Sequence, residues 1–413
     1  MIRDTIVQPI VRTAIKAFER PHNPSKPTLQ SIFHYHWKDF CKYLDTHPEI
    51  SIRPIVFNEV ERMIACGTLD MGFEVYECPN CHNHHIIAYT CKSRFCPSCG
   101  LKMTKMRAIH ISNSTLNVKH RHIVFTIDER LRPYFKKHRD WLSFLFDSAW
   151  EALHYVFRTG YARKNDVFIP GAIITLHTFG RALNWNPHVH CLVTEGGMAN
   201  NNCYKHIQFI NYETLRKAFM KQLLDKMRNA LPKGSKEYKQ FMTLRVNLYR
   251  LDSNGFYVYA PPVHVKGDGK KQVVQYIIRY AGRPPMAQSR ITSYDFSNKS
   301  ISYWYEDHKT NKYILVSEHI FLFFLKLIQH IPERQFKMVR YFGLYASCDH
   351  HHKEPIKRLL SNTKSFFKKP KYYRLDLISS FGVDPFLCTC GSFMEFVDSF
   401  IPSKFRSFSL EDP

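Results

Sequence analysis

The sequence predicts an α+β protein with a small metal-binding module ahead of its main domain. Three observations predict it. Short β-branched runs alternate with helical periodicities through the centre of the chain. Two CxxC pairs lie close together in the N-terminal third. The chain has 413 residues, 44% hydrophobic and 15% aromatic, enough to bury a core and build two to four structural units. That composition excludes a disordered chain. Lys and Arg number 59 against 35 Asp and Glu, a net charge of +24. An excess of that size suits a polyanionic partner, and nucleic acid is the commonest.

Residues 1–74 read as a helical, basic region, with FHYHWKDFCKYL (33–44) as an aromatic-rich helix. Residues 75–110 hold the clustered cysteines. The main domain is expected over 115–290. It begins with the strand HIVFTI (122–127), followed by the helix WLSFLFDSAWEALHYVF (141–157). The strands GAIITLHTF (171–179) and PHVHCLV (187–193) come next, then a charged helix over about 212–230. A polar strand region, FYVYAPPVHV (256–265), leads into a helix from about Lys270. Residues 291–413 read as a basic tail with a strand pair (SISYWYEDHK), an apolar helix (HIFLFFLKLIQHI) and the basic stretch KSFFKKPKYYR. The apolar helix is too short to span a bilayer and carries Lys326. The N-terminus lacks the apolar core of a secretory signal. A cytoplasmic, nucleoid-associated protein is therefore expected, with no membrane partner. Its 12 cysteines should be thiols or metal ligands rather than disulfides. No solenoid repeat or low-complexity tract is present.

The segment YECPNCHNHHIIAYTCKSRFCPSCG sets Cys78 and Cys81 as one CxxC and Cys96 and Cys99 as another, 14 residues apart. Four thiolates at this spacing suit one tetrahedral, structural zinc. Cys91, His82, His84 and His85 lie in the intervening loop and could replace a ligand. Cys91 with Cys66 could also serve a second ion. Zinc-deaminase chemistry is excluded: it wants proline directly before a CxxC and a separate HxE, and Phe95 precedes Cys96. Lys102, Lys105 and Arg107 beside the module suit contact with DNA.

The stretch NWNPHVHCLVTEGG contains His188 and His190. With 23 histidines, roughly one HxH is expected from composition alone, so context must choose among the several present. On a strand, residues i and i+2 share a face. His188, His190 and Leu192 then point one way, while Val189, Cys191 and Val193 point into a core. The pair His120 and His122 has Arg121 between, a poor core residue. His82 and His84 lie inside the zinc loop, and His350 and His352 sit in a polar run. Gly196 and Gly197 read as a turn.

In GKKQVVQYIIRYAGRPP (269–285) a helix is expected from about Lys270 to Ala281, capped by Gly282 and stopped by Pro284. Val274, Ile277, Ile278 and Ala281 form its apolar stripe. Tyr276 and Tyr280 are four apart and neighbours on a different face, beside Gln272, Arg279 and Arg283. Arginine holds phosphate, and positive charge favours the phenolate. Lys270, Lys271, Arg279 and Arg283 are the expected DNA contacts. A metal-ready strand, paired tyrosines, a zinc module and strong positive charge together suit tyrosine attack on a DNA phosphorus. The leaving group is a 3′-hydroxyl and the product a 5′-phosphotyrosine ester.

These motifs resemble those of rolling-circle transposases of insertion sequences, the insertion-sequence-91-like group of the HUH endonucleases. LHTFGRALNWNPHVHCLVTEGG (176–197) resembles their metal strand and VVQYIIRYAGRPPMAQSRI (273–291) their two-tyrosine helix. CPNC, SRFCPSCG and HIVFTIDERLRPYF resemble the zinc module and the entry to the catalytic domain. FKMVRYFGLYA resembles the region beyond, so the likeness covers most of the chain. It implies an antiparallel, ferredoxin-like sheet carrying helices, with His188 and His190 as ligands of Mg²⁺ or Mn²⁺. It implies Tyr276 and Tyr280 as nucleophiles and single-stranded element ends as substrate. Imidazole ligands lean towards Mn²⁺. His177 is the candidate third ligand, across a hairpin from the pair. Cys388 and Cys390 stand two apart where a CxxC is expected, which weighs against a metal role for them. Two other readings stay open: a replication initiator or relaxase with the same chemistry, and a non-catalytic zinc-ribbon DNA-binding protein.

Overall fold

A computed structural model describes residues 27–104, 116, 118–161, 168–199, 203–207, 209–260, 276, 280, 284–307, 310–346, 374, 378, 384 and 386–403. In chain order its helices are α1 (Leu29–Asp45), α2 (Pro54–Ala65), α3 (Arg132–Lys137), α4 (Leu142–Tyr161), α5 (Tyr212–Ala230), α6 (Lys236–Leu251) and α7 (Ile320–Ile328). Its strands are β1 (Phe73–Glu77), β2 (His84–Ala88), β3 (His120–Thr126), β4 (Phe168–Phe179), β5 (Trp185–Ala199), β6 (Tyr204–His206), β7 (Val258–Tyr259), β8 (Ile291–Asp295), β9 (Ser300–Glu306), β10 (Tyr313–His319), β11 (Val339–Gly343) and β12 (Glu395–Phe400). The protein is mixed α/β with antiparallel sheets.

The chain forms two compact units, neither continuous in sequence. One takes Met1–Met106, Met286–Ile331 and Ser365–Pro413; the other takes Arg107–Pro285 and Pro332–Lys364. The four linear segments read from the sequence do not coincide with these units. Residues 291–413 are shared between both, because β11 pairs with β4 while β12 pairs with β1.

The second unit is built on a sheet in the order β11-β4-β5-β3-β7, with β6 added to β5. One face is apolar by alternation. Ile123 and Phe125, Ile174 and Leu176, and Val189, Cys191 and Val193 are all buried there. They pack with Leu145, Phe146, Leu153 and Phe157 of α4 and Leu215, Phe219 and Leu223 of α5. Each such side chain stabilises the fold by about 1.5–3 kcal/mol relative to exposure. Asn211 caps α5 by accepting from the Thr214 amide. Helix α6, capped by Ser235, has no counterpart in the sequence reading. It buries only Phe241 and Leu248, too few positions to show a period.

Gly196 and Gly197 are not a turn. Both lie inside β5, paired with His206 and Lys205 of β6. A Cβ on Gly196 would stand 2.4 Å from the Lys205 carbonyl oxygen, so glycine here permits close strand approach.

In the first unit, α1 is fixed by a capping box between Thr28 and Ser31. Phe33 stacks on Phe324 of α7 at 3.9 Å and Phe40 meets it edge-on at 5.6 Å. Within the stretch expected as a strand pair, Ser300–Glu306 is a single strand, β9, the middle of a three-stranded sheet β10-β9-β8. A second sheet has the order β12-β1-β2. No helix among the described residues is long and apolar enough to cross a membrane. The expected helix at 270–281, apart from Tyr276 and Tyr280, lies outside the described residues. So do Lys105, Arg107, Lys270, Lys271, Arg279, Arg283 and most of the basic stretch 364–374.

Buried His120 bonds the Tyr345 hydroxyl through Nε2 at 2.5 Å, and burial pushes its pKa down to about 4. The unfolded value is about 6.5, so between the two the unfolded chain binds the extra proton. The stability contributed by neutral His120 is present above that upper value and is lost as pH falls towards 4. The expected loss is on the order of 3 kcal/mol. Denaturant titrations at pH 7.5 and 4.5 should show a smaller fall in His120→Gln than in wild type.

Candidate active site and metal centres

The face of the main sheet opposite the core carries the site. Antiparallel register sets His177 of β4 opposite His188 of β5, and Thr175 opposite His190. Strand β3 sets Val124 opposite His190 and His122 opposite Leu192. One donor nitrogen from each of His177, His188 and His190 falls within 4.8 Å of the others. The Nε2 atoms of His188 and His190 are 3.1 Å apart.

In each of the three imidazoles, the remaining nitrogen has a partner. His188 Nδ1–H donates to the Asn186 carbonyl oxygen at 2.7 Å. His190 Nδ1 shares a hydrogen bond with His122 Nε2 at 3.0 Å. His177 Nε2–H donates to the Tyr280 carbonyl oxygen at 2.7 Å, leaving Nδ1 as its lone-pair donor. Partners of this kind fix tautomer and ring orientation, so each ring keeps one lone pair for a cation. Burial, and more weakly Arg132, holds His188 below its ordinary pKa against the opposing Asn186 bond. A neutral ring is the ligating form. The donor set therefore fits a divalent ion that accepts nitrogen.

The two tyrosines lie on the same face. Both sit in helical backbone. Tyr280 stacks on His190 at 4.3 Å and on His122 at 4.5 Å. Tyr276 is buried against Ile173 and Leu192 and donates its hydroxyl to the His190 carbonyl oxygen at 2.7 Å. The rings are 5.4 Å apart. His188, His190, His177, Tyr276 and Tyr280 are thus brought together.

Sequence reasoning missed His122, set aside because Arg121 is a poor core residue. Arg121 has its own partners: its Nε lies 2.8 Å from Glu195 and its Nη1 2.9 Å from the Tyr212 hydroxyl. The reverse face of β3 therefore accommodates an arginine, while His122 turns to the site. Alternation along β3 could have revealed this, since His122 and Val124 share a face opposite Ile123 and Phe125.

The cysteines do not form the single centre expected from Cys78, Cys81, Cys96 and Cys99. They form two. Cys66, Cys91, Cys96 and Cys99 make one buried group, with Sγ separations of 3.4 Å (Cys66–Cys99), 3.6 Å (Cys91–Cys99) and 3.8 Å (Cys66–Cys96). A tetrahedral zinc with bonds of about 2.3 Å sets sulfurs roughly 3.8 Å apart, so the group fits. The Cys91 amide points at Cys66 Sγ and the Ser93 amide at Cys91 Sγ. Both are donors suited to thiolates. Hydrogen bonds from Cys66, Cys91 and Cys96 hold Cys99 well below the usual thiol range. The other group joins Cys78 and Cys81 to Cys388 and Cys390. His82 and His84 turn instead to Glu77. The sequence reading joined the two CxxC pairs in one centre because CxxC spacing shows which cysteines are close in sequence, not which pairs meet.

A tyrosine pair over an imidazole cluster, in a chain that also has a buried group of four cysteines, points to a transposase, and comparison with known proteins establishes it. A family model described as "Putative transposase" matches residues 171–353, and one described as "Transposase zinc-binding domain" matches residues 32–127. Over 360 residues the chain is 32% identical to the "Transposase for insertion sequence element IS801" of Pseudomonas savastanoi pv. phaseolicola, covering 84% of each protein. It is 24% identical over 302 residues to the "Putative transposase y4qJ" of Sinorhizobium fredii (strain NBRC 101917 / NGR234), covering 68% of this chain and 72% of that one. No solved structure matches. The chain belongs to the IS91 family of transposases.

Cys91→Ser should remove zinc from the buried group although Cys91 belongs to neither CxxC. Metal analysis of the purified variant should find less zinc than in wild type, and a lower melting temperature should accompany it.

Proposed function

We propose that this transposase cuts and rejoins single-stranded DNA through 5′-phosphotyrosine intermediates, as a rolling-circle enzyme of HUH type. The observation that carries the reading is the stacking of Tyr280 on His190 and His122 with the Tyr276 hydroxyl on the His190 carbonyl oxygen. An antiparallel sheet with helices on one face and the site on the other agrees with the ferredoxin-like fold of such enzymes.

His177, His188 and His190 would hold Mg²⁺ or Mn²⁺, and such an ion would supply Lewis-acid stabilisation of charge developing on the scissile phosphate. A tyrosine oxygen attacks phosphorus, the bond to the 3′-oxygen breaks, and that oxygen leaves as a hydroxyl carrying the proton. Rejoining reverses the exchange: a 3′-hydroxyl displaces the phenol, which recovers its proton. The ester conserves the bond energy, so no ATP is consumed. Arg279, Arg283, Lys270 and Lys271 serve as phosphate contacts in this reading. Excess positive charge supports binding of a polyanion.

The tyrosines differ in readiness. Tyr276 is 3% exposed and must give up its 2.7 Å bond to the His190 carbonyl before it can attack. Because Tyr276 is buried and Tyr280 only half-buried, Tyr280 takes the first transfer in this reading and Tyr276 the second. Purified protein with labelled single-stranded element ends and Mn²⁺, run on a denaturing gel, tests this. Tyr280→Phe should lose the first covalent adduct, Tyr276→Phe should retain it but fail to complete strand transfer, and the double variant should form none. A double variant that still forms adduct, or a wild type that forms none with any metal, would leave a DNA-binding protein without this chemistry.

His122 acts through His190 rather than on the ion. His122→Phe removes the Nδ1 partner and should weaken Mn²⁺ binding about 10–100-fold, measured by calorimetry, with DNA binding unchanged.

A further inference from the structure

We propose that Cys78, Cys81, Cys388 and Cys390 hold a second zinc ion, and that this ion fastens the segment Leu387–Phe400 onto the sheet of the zinc-binding unit. The matched zinc-binding region ends at residue 127, so half of this centre comes from outside it.

The geometry of the donors comes first. Cys78 Sγ lies 3.5 Å from Cys390 Sγ, and Cys81 Sγ 3.4 Å from Cys388 Sγ. All four sulfurs fall within 4.8 Å of one another. These are near the edges of a tetrahedron with metal–sulfur bonds of about 2.3 Å, and far beyond a sulfur–sulfur bond of about 2.05 Å.

The backbone prepares both pairs in the same way. After Cys81, His82 takes φ +55° and its amide donates to the Cys78 carbonyl at 2.9 Å. After Cys390, Gly391 takes φ +88° and its amide donates to the Cys388 carbonyl at 2.9 Å. Each turn folds its two sulfurs towards one point. The Gly100 amide donates to the Cys96 carbonyl at 2.8 Å in the buried centre, so a CxxC there closes alike. The missing residue in Cys388-Thr389-Cys390 shortens the turn by one position without preventing it. The one-residue gap that argued against a metal role in the sequence therefore does not exclude it.

The need for an ion follows from burial. Strand β12 pairs with β1 from Phe73 with Phe400 to Glu77 with Glu395. Yet Phe396, Val397 and Phe400 are 59%, 44% and 53% exposed. Among the described residues, the apolar cluster at this sheet has Tyr76, Cys78, Ile87, Cys388 and Met394 as buried members. Little apolar area is available to hold a strand some 300 residues away in the chain, whereas zinc ligation contributes folding free energy directly.

The test uses the full-length, zinc-loaded protein. Cys81, Cys390 and Cys203 are all exposed. Alkylation followed by peptide mass spectrometry should find Cys81 and Cys390 slower to react than Cys203 by about tenfold or more, the difference vanishing on chelation. Metal analysis should find one zinc fewer in Cys388→Ser with Cys390→Ser than in wild type, with faster amide exchange in β1. Cys81 and Cys390 reacting as fast as Cys203, or a double variant with undiminished zinc, would overturn the proposal. So would protection that survives chelation and yields to reductant, which means disulfides.

Discussion

The register between β4 and β5 is the constraint on which the site depends. A slip of one residue would turn His188 and His190 into the core and bring Val189 and Cys191 out. The buried side makes that slip costly, because Val189, Cys191, Val193, Ile174 and Leu176 are almost wholly removed from water. The connection adds to it. Gly180 and Asn184 close the hairpin by an amide-to-carbonyl bond, with Leu183 at φ +62° between them. At the far end the Gly171 amide donates to the Thr194 hydroxyl across an irregularity in pairing. The histidines face one another because apolar residues on the reverse side have nowhere else to go.

From that register the rest of the site is linked by short bonds. His190 is held by His122 on β3, and its own carbonyl receives the Tyr276 hydroxyl. His177 grips the Tyr280 carbonyl. The tyrosines are therefore tied to the same imidazoles proposed to bind the ion. A change in the position of Tyr276 or Tyr280 reaches His190 or His177 through a single hydrogen bond, so metal occupancy and nucleophile position are coupled in the proposed reaction. A lone HxH strand with distant tyrosines would have no such coupling.

Much of this was legible along the chain, and what was not has a physical cause. Period-two alternation in PHVHCLV separates the histidine face from Val189, Cys191 and Val193, and the core contains those three. The helix at 212–230 and the apolar helix after His319 follow from their patterns. The pairing of cysteines was not legible. Which cysteines meet depends on contacts between residues as far apart as 81 and 388, and nothing local encodes them. The facing of His122 was legible in the alternation of β3; its partner was not, because that is a residue 68 positions on. Gly196 and Gly197 misled because glycine marks both turns and close strand approach, and the local sequence does not say which.

The two cysteine groups differ in when the chain can complete them. The buried group closes between Cys66 and Cys99, positions 33 apart, and can form while most of the chain is still to be made. The group with Cys388 closes over 307 positions, and β12 cannot pair with β1 before residues 395–400 are synthesised. Contacts of such separation cost loop entropy before they return any stabilisation. The intervening unit has its own core, and a domain that folds as a unit shortens the effective loop between its ends. Strand β1 meanwhile has β2 as its local partner and leaves an edge open for β12. An unpaired edge is an aggregation hazard. A metal-fastened β12 that covers this edge protects the zinc-binding unit only after residues 395–400 have been made.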